Sequence, residues 1–196
     1  MPCSPIVPIL DPWFKEPSKA EMIYLIGALK NTAVPLLAAK LRSAGLECFD
    51  DWHAAGPDAD DFWQAYEKAR GHDFKTALAG FAAKHVFEYD RHHLDRASVG
   101  VLLLPAGKSG HLEAGYLIGQ GKPLYIVLDD EPKRFDVMYN FAAGVVKTFD
   151  ELVEVLCDRL VEGTAGCAGS VRPRAVESDR RRQQEAPSWE QAAVVP

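Results

Sequence analysis

The sequence predicts an α/β protein in which a five-stranded parallel sheet is flanked by helices. Two observations lead to this prediction. Short apolar runs without polar alternation, which are typical of strands buried on both faces, recur along the chain. Longer stretches with helix start and stop signals lie between these runs, so that strands and helices alternate. We therefore expect one Rossmann-like, flavodoxin-like domain with right-handed crossovers between its strands.

Five apolar runs are the predicted strands. The first, Met-Ile-Tyr-Leu-Ile-Gly at residues 22–27, contains no charged side chain. The others are residues 46–49, 98–104, 123–128 and 144–146. Ligands of parallel sheets bind beyond the carboxyl ends of the strands. The segments that follow the first three strands are therefore the places in which we expect a site.

Caps and breakers predict where the helices begin and end. Asn31 can cap a helix that runs to residue 44, with Pro35 near its start and Gly45 just past its end. Further helices are predicted over residues 58–69, 74–97 and 110–120, the first of them capped by Asp58. A capping box, Thr-Phe-Asp-Glu at residues 148–151, opens the last helix.

The composition divides the chain into three parts. Residues 1–20 are rich in proline and form a predicted irregular leader, and residues 21–162 form the α/β domain. From residue 163 to residue 196 the chain is rich in glycine, serine, arginine and glutamine. So few apolar residues cannot build a core, which predicts a disordered tail. An interaction arm is the alternative interpretation of its arginines.

The charge and the cysteines favour a cytoplasmic protein with a small-molecule partner. A formal net charge of -6 disfavours nucleic acid polymers and anionic membranes, because both require a basic surface. No apolar run approaches the roughly 18 residues that a transmembrane helix needs, and the first residues do not resemble a secretory signal. The four cysteines are scattered without a CxxC pair, which suits a reducing compartment.

We expect no metal and no other cofactor. His92 and His93 are adjacent, so on a helix their side chains diverge by about 100°. No HExxH pattern is present.

The tripeptide Gly107-Lys108-Ser109 matches the end of a P-loop, the phosphate-binding motif of many nucleotide triphosphatases. That motif requires a glycine five positions before Gly107, where this chain has Leu102 inside a predicted strand. The loop is too short to wrap phosphates, and we reject this interpretation.

The loop after the third strand is the most informative segment. Gly107, Lys108, Ser109 and Gly110 lead from a buried strand into a helix. Such a turn presents backbone N–H groups and the positive end of the helix dipole to an anion or a sugar oxygen. Glu113 is predicted to follow in the first turn of that helix, beside the pocket.

Three further residues complete a candidate site. Asp90 lies on the helix that leads into the third strand, Tyr24 lies in the first strand, and Gly27 begins the turn after it. With Glu113 they supply a carboxylate nucleophile, a second carboxyl for proton transfer and an aromatic hydroxyl. These groups suit retaining chemistry at an anomeric carbon, where one carboxylate attacks while another acid assists the leaving group.

Three separated sequence blocks share features with a known family. They are Ile-Tyr-Leu-Ile-Gly at 23–27, Asp-x-x-x-Leu-x-x-Ala at 90–97, and Gly-His-Leu-Glu-Ala-Gly at 110–115 followed by Gly-Lys-Pro at 121–123. In these blocks, which span about residues 22 to 140, the chain resembles the nucleoside 2-deoxyribosyltransferase family. That family includes relatives that hydrolyse deoxynucleoside 5'-monophosphates.

The resemblance implies a role for each matched residue. Glu113 would be the nucleophile that forms a covalent (deoxy)ribosyl-enzyme, Asp90 would handle the proton of the departing base, and Tyr24 would line the sugar and base pocket. A weaker match, Asp136-Val-Met138, corresponds to a family segment that reaches into the neighbouring subunit's site. It implies a homodimer or higher homo-oligomer that binds a nucleoside or nucleotide and, for transfer, an acceptor base.

The departures from the family leave alternatives open. The family's transferases have an acidic residue, and its monophosphate hydrolases a serine, in the loop that here contains Lys108 and Ser109 in a slightly shorter frame. Ser98 stands where the family usually has Asp. Residues 105–113 also resemble the Pro-Gly-Gly-x-Gly-Thr-x-x-Glu motif of cytokinin-activating phosphoribohydrolases, although the upstream arginine signature of those enzymes is missing. A nucleotide-binding sensor without turnover is the alternative from another class.

An acidic and aromatic segment at residues 50–70 lies outside the matched blocks. It contains Trp52, Phe62, Trp63 and Tyr66. These aromatic side chains could stack on a base as a lid. A helix that packs its aromatic side chains on the core is the simpler interpretation.

Overall fold

The computed structural model describes residues 22–128, 131 and 136–165, with side chains of the last helix described to residue 159. The predicted leader at residues 1–20 and the predicted tail beyond residue 165 lie outside the described residues.

Five parallel strands form one sheet in the order β2-β1-β3-β4-β5. Every neighbouring pair is parallel. This is the flavodoxin-like order, and the predicted fold class is confirmed. Each predicted strand lies at the predicted place, and four of them are shorter than predicted. The strands are β1 (Ile23–Ile26), β2 (Cys48–Phe49), β3 (Val99–Leu103), β4 (Leu124–Val127) and β5 (Gly144–Val146).

Six α-helices surround the sheet in the described part of the chain. They are α1 (Ala33–Ser43), α2 (Ala59–Ala69), α3 (Phe74–Leu78), α4 (Phe81–Arg96), α5 (Lys108–Gly119) and α6 (Phe149–Ala165). Two short 3₁₀ helices, Asp51–Ala55 and Val137–Phe141, follow β2 and precede β5. No helix in this part of the chain combines the length and the apolarity that crossing a bilayer requires.

The two faces of the sheet bury different helices. On one face, α4 and α5 pack Leu94 and Leu117 against a core that includes Tyr24, Ile26 and Ile126. Right-handed crossovers put α1 on the opposite face, toward which alternate β1 residues such as Leu25 point.

The predicted helix over residues 74–97 is two helices. α3 ends at Leu78, and α4 begins after Gly80, whose backbone is extended. A Cβ atom at Gly80 would lie 2.9 Å from the carbonyl oxygen of Ala77, so the chain turns at this glycine. The carboxylate of Asp73 caps α3 by accepting a hydrogen bond from the Thr76 N–H at 2.8 Å.

The predicted caps are correct at two helices and wrong at one. The Asn31 side chain accepts from the Ala33 N–H at 3.0 Å, and Thr148 Oγ1 accepts from the Glu151 N–H at 3.1 Å. Asp58 makes no side-chain cap bond at α2. Its carboxylate instead lies 3.9 Å from the ammonium of Lys30, which draws it away from the helix N–H groups.

Contacts between residues divide the chain into two units, Met1–Asp158 and Arg159–Pro196. The first unit contains the whole sheet. Of the second unit, the structure describes Arg159 to Ala165, the end of α6. The sequence-based boundary at residue 162 stays a prediction.

Candidate active site

Three of the predicted site residues share one electrostatic environment: Tyr24 on β1, Asp90 on α4 and Glu113 on α5. Burial, and after it the charge of Asp90, raises the pKa of Glu113. Burial, followed by the charges of Glu113 and Asp90, raises the pKa of Tyr24. Charges affect each other's ionisation in this way over short distances, so the three side chains lie near one another.

The pKa values of both carboxyl groups are raised above the ordinary values of aspartate and glutamate. Burial raises the pKa of Asp90 from 3.8 to about 6. Burial together with the charge of Asp90 raises the pKa of Glu113 from 4.5 to about 7. Two interacting carboxyl groups lose their protons in coupled steps that belong to the pair. Between these values the pair therefore shares one proton, and it contains one acid and one carboxylate.

The position of Glu113 on its helix differs from the prediction. The sequence pattern predicts Glu113 in the first turn, where free backbone N–H groups stabilise a negative charge. This prediction is wrong, because α5 begins at Lys108 and Glu113 lies in its second turn. The free N–H groups belong to residues 108–110, because the His111 N–H already donates to the carbonyl oxygen of Gly107 at 3.3 Å. Burial instead decides the ionisation of Glu113, and it favours the neutral acid.

Aromatic rings surround the carboxyl pair. Tyr24 is 1% exposed, and its ring lies 5.2 Å from the ring of Phe49. Phe49 stacks on His93 at 3.8 Å, one turn after Asp90 on α4. Tyr89 packs edge-on against His93 at 4.8 Å. These rings form one aromatic cluster that extends from β1 to α4.

The turn after β1 is held close to the loop after β3. A Cβ atom at Gly27 would lie 2.8 Å from Val34 Cγ2, so the turn requires glycine. The Asn31 side chain donates to the carbonyl oxygens of Leu104 and Pro105, both at 3.4 Å. The sequence identifies Asn31 as a helix cap only. Its burial between two site loops, which the sequence does not reveal, makes it a positioning residue as well.

The predicted loop residues lie at the start of α5. Gly107, Lys108 and Ser109 are exposed, whereas Gly110 is buried. A Cβ atom at Gly110 would lie 3.1 Å from Ile26 Cγ2, so this glycine lets α5 approach β1 closely. Lys108 and His111 also line a shallow open concavity at this helix end. Neither Glu113 nor Asp90 is among its lining residues.

Asp136 and Met138 occupy the exposed segment before β5. The Asp136 carboxylate accepts from the Met138 N–H at 2.9 Å and caps the 3₁₀ helix Val137–Phe141. The observed link between this segment and α5 is a contact at 3.2 Å between Tyr139 Oη and His111 Nε2. The structure therefore places the segment next to the start of α5, and the predicted role of Asp136 and Met138 in a neighbouring subunit stays a prediction.

The aromatic segment after β2 has two kinds of side chain. Trp52 is partly buried and packs against the core, as the simpler interpretation expects. In α2, Phe62 and Tyr66 are exposed, which contradicts that interpretation for these two side chains, whereas Trp63 is partly buried. The Lys30 ammonium, in the turn after β1, bonds the Asp61 carboxylate at 3.0 Å and ties α2 to the site.

Among the described residues, no group of three histidine, cysteine, aspartate or glutamate side chains could hold a metal ion.

Comparison with solved structures places the fold among known ones. The chain is similar to a conserved protein from Enterococcus faecalis, with a TM-score of 0.51 and 16% identity over 71% of this chain and 99% of the other. A 2-deoxyribosyltransferase from Bacillus psychrosaccharolyticus has a TM-score of 0.48 and 16% identity over 67% of this chain and 90% of its own. A CMP N-glycosidase from Clostridium botulinum has a TM-score of 0.44 and 12% identity over 69% of this chain and 98% of its own.

No protein-family model matches the chain, and no curated protein matches it in sequence. At these identities the likeness to solved structures concerns the fold. That fold is the α/β fold that the sequence resemblance predicts.

Proposed function

We propose that this chain is an enzyme that cleaves or exchanges the N-glycosidic bond of a (deoxy)nucleoside or its 5'-monophosphate through a covalent glycosyl ester on Glu113. The first activity that we assign is that of a nucleoside 2-deoxyribosyltransferase. One observation carries the proposal: two partly buried carboxyl groups with raised pKa values lie near Tyr24. The sequence blocks that resemble the transferase family contain these same residues.

The proposed reaction has two steps. In the first, the Glu113 carboxylate attacks the anomeric carbon while Asp90 donates its proton to the departing base, so that a C–O ester replaces the C–N bond. In the second, water or another base attacks the anomeric carbon from the side that the first base left, and the bond from that carbon to the Glu113 oxygen breaks. Asp90 takes up the proton released by the attacking molecule, and Glu113 leaves as a carboxylate.

The shared proton of the pair suits this sequence of steps. In the free site the carboxyl pair holds a proton to near-neutral pH. Positive charge that develops on the sugar in the transition state favours ionised Glu113. The proton of the pair then resides on Asp90, where the leaving base needs it. Tyr24 stays protonated at neutral pH, because burial and both carboxyl charges raise its pKa. Its hydroxyl can donate to the attacking carboxylate or to a sugar oxygen.

The 5' group of the substrate distinguishes transferase from monophosphate hydrolase. Lys108 and Ser109 lie in the first turn of α5, where a cation and free N–H groups favour a phosphate. Asp136, in the segment that contacts α5, disfavours a phosphate because its carboxylate would repel the phosphate charge. We therefore assign a free 5'-hydroxyl or tolerance of both groups. The nucleotide hydrolase, of the deoxynucleoside monophosphate or phosphoribohydrolase type, is the second candidate, and Lys108 favours it.

A binding module without turnover is the alternative from another class. A sensor needs a pocket but gains nothing from two buried carboxyl groups, because each ionisation there costs free energy. Retention of both Glu113 and Asp90 therefore supports an enzyme.

We propose that the working form is a homodimer or higher homo-oligomer. α4 buries Leu94, while Phe81 is 86% exposed and Val86 and Phe87 are also exposed. Met138 is 57% exposed on the segment next to α5. Large exposed apolar side chains on functional segments are typical of interfaces. A cytoplasmic location is also proposed, because Cys48 and Cys157 are free thiols.

A substrate panel tests the proposed activity. The protein is incubated with the 2'-deoxynucleosides and with their 5'-monophosphates, each with and without a free acceptor base, and the products are separated by chromatography. Exchange of the base on a deoxynucleoside supports the transferase. Faster release of base from the monophosphate, without exchange, supports the hydrolase. Binding without any released or exchanged base would contradict both and favour the sensor.

A further inference from the structure

We propose that Trp52 forms the wall on which the base of the substrate stacks, and that it thereby selects a planar heteroaromatic leaving group. This inference rests on the proposed function and adds a residue that lies outside the sequence blocks resembling the transferase family.

Trp52 lies on the side of the sheet where a ligand binds. β2 ends at Phe49, and the 3₁₀ helix Asp51–Ala55 carries Trp52 past the carboxyl end of that strand. β2 is the neighbour of β1, which contributes Tyr24 to the site. Ligands of parallel sheets bind beyond these strand ends.

A hydrogen bond fixes the orientation of the indole. The Trp52 Nε1–H donates to the carbonyl oxygen of Leu25 at 2.8 Å. Leu25 lies two residues after Ile23, whose N–H bonds Glu47 of the β2 edge, so the Leu25 backbone faces the same edge. β2 ends at Phe49, before a residue whose backbone N–H could donate to this oxygen. The indole N–H makes the hydrogen bond that the next strand residue would otherwise make. A ring held in this way loses little entropy when a ligand stacks on it.

The indole covers the turn that follows β1. Its Cη2 atom lies 3.6 Å from the position that a Cβ atom would occupy at Gly27. Because residue 27 is glycine, no side chain separates the ring from the backbone there. A larger residue would also meet Val34. The indole is partly buried against the core that contains Tyr24 and Phe49, and part of its surface remains open.

The other aromatic side chains around the carboxyl pair are less suited to stacking. Tyr24 and Phe49 are buried, so neither presents a face to a base. Tyr89 is exposed, but it packs against His93 on α4 rather than over the Gly27 turn. The turn itself, Gly-Ala-Leu-Lys at residues 27–30, contains no aromatic residue. Trp52 is thus the aromatic side chain with both an open surface and a position over this turn.

Binding measurements in the Glu113→Gln background test the proposal without interference from turnover. The probes are the four common 2'-deoxynucleosides, their free bases and 2-deoxyribose, measured by calorimetry. Stacking of one base on an aromatic side chain contributes roughly 5- to 150-fold to affinity. We expect Trp52→Leu to weaken binding of the preferred deoxynucleoside and its free base about 10-fold or more. Trp52→Phe should restore most of that loss, because it keeps an aromatic face.

Two controls separate stacking from a structural effect. Binding of 2-deoxyribose should change less than about twofold in Trp52→Leu, since stacking concerns the base alone. Trp63→Leu, which alters the tryptophan of α2, should leave deoxynucleoside binding unchanged. In the protein with intact Glu113, Trp52→Leu should raise KM while kcat stays within about threefold, because uniform binding is lost.

A second measurement leaves Trp52 intact. In the Trp13→Phe, Trp63→Phe, Trp189→Phe protein, Trp52 is the single tryptophan, and stacking of a bound deoxynucleoside should quench its fluorescence. Unchanged fluorescence at saturation, or equal losses for the deoxynucleoside and 2-deoxyribose in Trp52→Leu, would overturn the proposal. Failure of every probe to bind the protein with Trp52 intact would overturn the proposed function and this inference together.

Discussion

At the scale of single residues, the ionisation of Glu113 decides what the site can do. The side chain must be a carboxylate to attack carbon, yet burial and the nearby charge of Asp90 favour its neutral form. The free energy of placing a charge there is recovered when positive charge develops on the substrate. Tyr24 contributes a hydroxyl that stays protonated.

The pH dependence of activity follows from the pair. Activity requires one proton on the two carboxyl groups, so kcat/KM should follow a narrow bell with limbs near the pKa values of about 6 and about 7. Asp90→Asn removes the negative charge that raises the pKa of Glu113. The alkaline limb should therefore disappear, and the acid limb should remain as the ionisation of Glu113 alone. A profile of Asp90→Asn that retains both limbs would contradict the assignment.

The same pKa shift makes a prediction for stability. The folded-state pKa of Glu113 is raised from 4.5 to about 7, so the folded protein binds more protons than the unfolded chain between these values. Its contribution to stability is then present below pH 4.5 and is lost as the pH rises to about 7. Relative to the unsubstituted protein, Glu113→Gln should gain up to about 3 kcal/mol of unfolding free energy between pH 4 and pH 8.

Urea unfolding at the two pH values measures this difference. Glu88→Gln, an exposed residue of α4, is the matched control and should show no such gain. An equal effect of Glu113→Gln at both pH values would show that its carboxyl group is not buried as described.

At the scale of elements, close approach of helices to the sheet positions the site. Gly110 brings α5 next to β1, and Gly100 in β3 brings the middle of α5 onto the sheet. Asn31 joins the turn after β1 to the loop after β3. Because Glu113 depends on α5 for its position, packing of this helix and catalysis are coupled.

Gly100→Val tests this packing. A Cβ atom at residue 100 would lie 2.5 Å from Leu117 Cδ1 and 2.7 Å from Leu124 Cδ1, so the core must shift. We expect a loss of about 1–3 kcal/mol in the free energy of unfolding by denaturant, together with lower activity. Gly115→Ala in α5 is the control, because a Cβ atom there meets nothing within 4 Å. It should stabilise the helix by roughly 0.5–1 kcal/mol. Equal stability of both variants would contradict the packing described.

The sequence predicted those elements whose start and stop signals lie within a few residues of the element itself. Apolar runs and glycine or asparagine breakers predicted all five strands and their places along the chain. The break at Gly80 was missed, because an isolated glycine is tolerated inside a helix and does not by itself end one. Motif spacing brought Tyr24, Asp90 and Glu113 into one candidate site. It could not predict the ionisation of Glu113 or the bond from Trp52 to Leu25, since both arise from packing between distant segments.

At the scale of the whole molecule, the account predicts a site shared between subunits. Asp136 and Met138 lie on an exposed segment beside α5, and α4 carries large exposed apolar side chains. A second subunit would cover such surfaces and could close the site to water.

Mixing two inactive variants tests this arrangement. Glu113→Gln lacks the nucleophile, and Met138→Glu places a charge on the segment that is proposed to enter the neighbouring site. A mixed dimer contains one site with both native residues, so random exchange should restore about a quarter of normal activity. Each variant incubated alone is the control. A strict monomer in light scattering, or no recovery although mixed dimers form, would contradict a shared site.

Turnover by Glu113→Gln is the most direct test of the central claim that Glu113 attacks the sugar. Glutamine keeps the shape and the hydrogen bonding of the side chain but removes the attacking charge. Turnover of the preferred substrate should fall by about three orders of magnitude or more, which corresponds to ~4 kcal/mol of barrier. Binding of that substrate should remain, and Glu88→Gln should retain full activity. If Glu113→Gln kept more than about a tenth of normal turnover, a loss of only ~1.4 kcal/mol, another group would be the nucleophile.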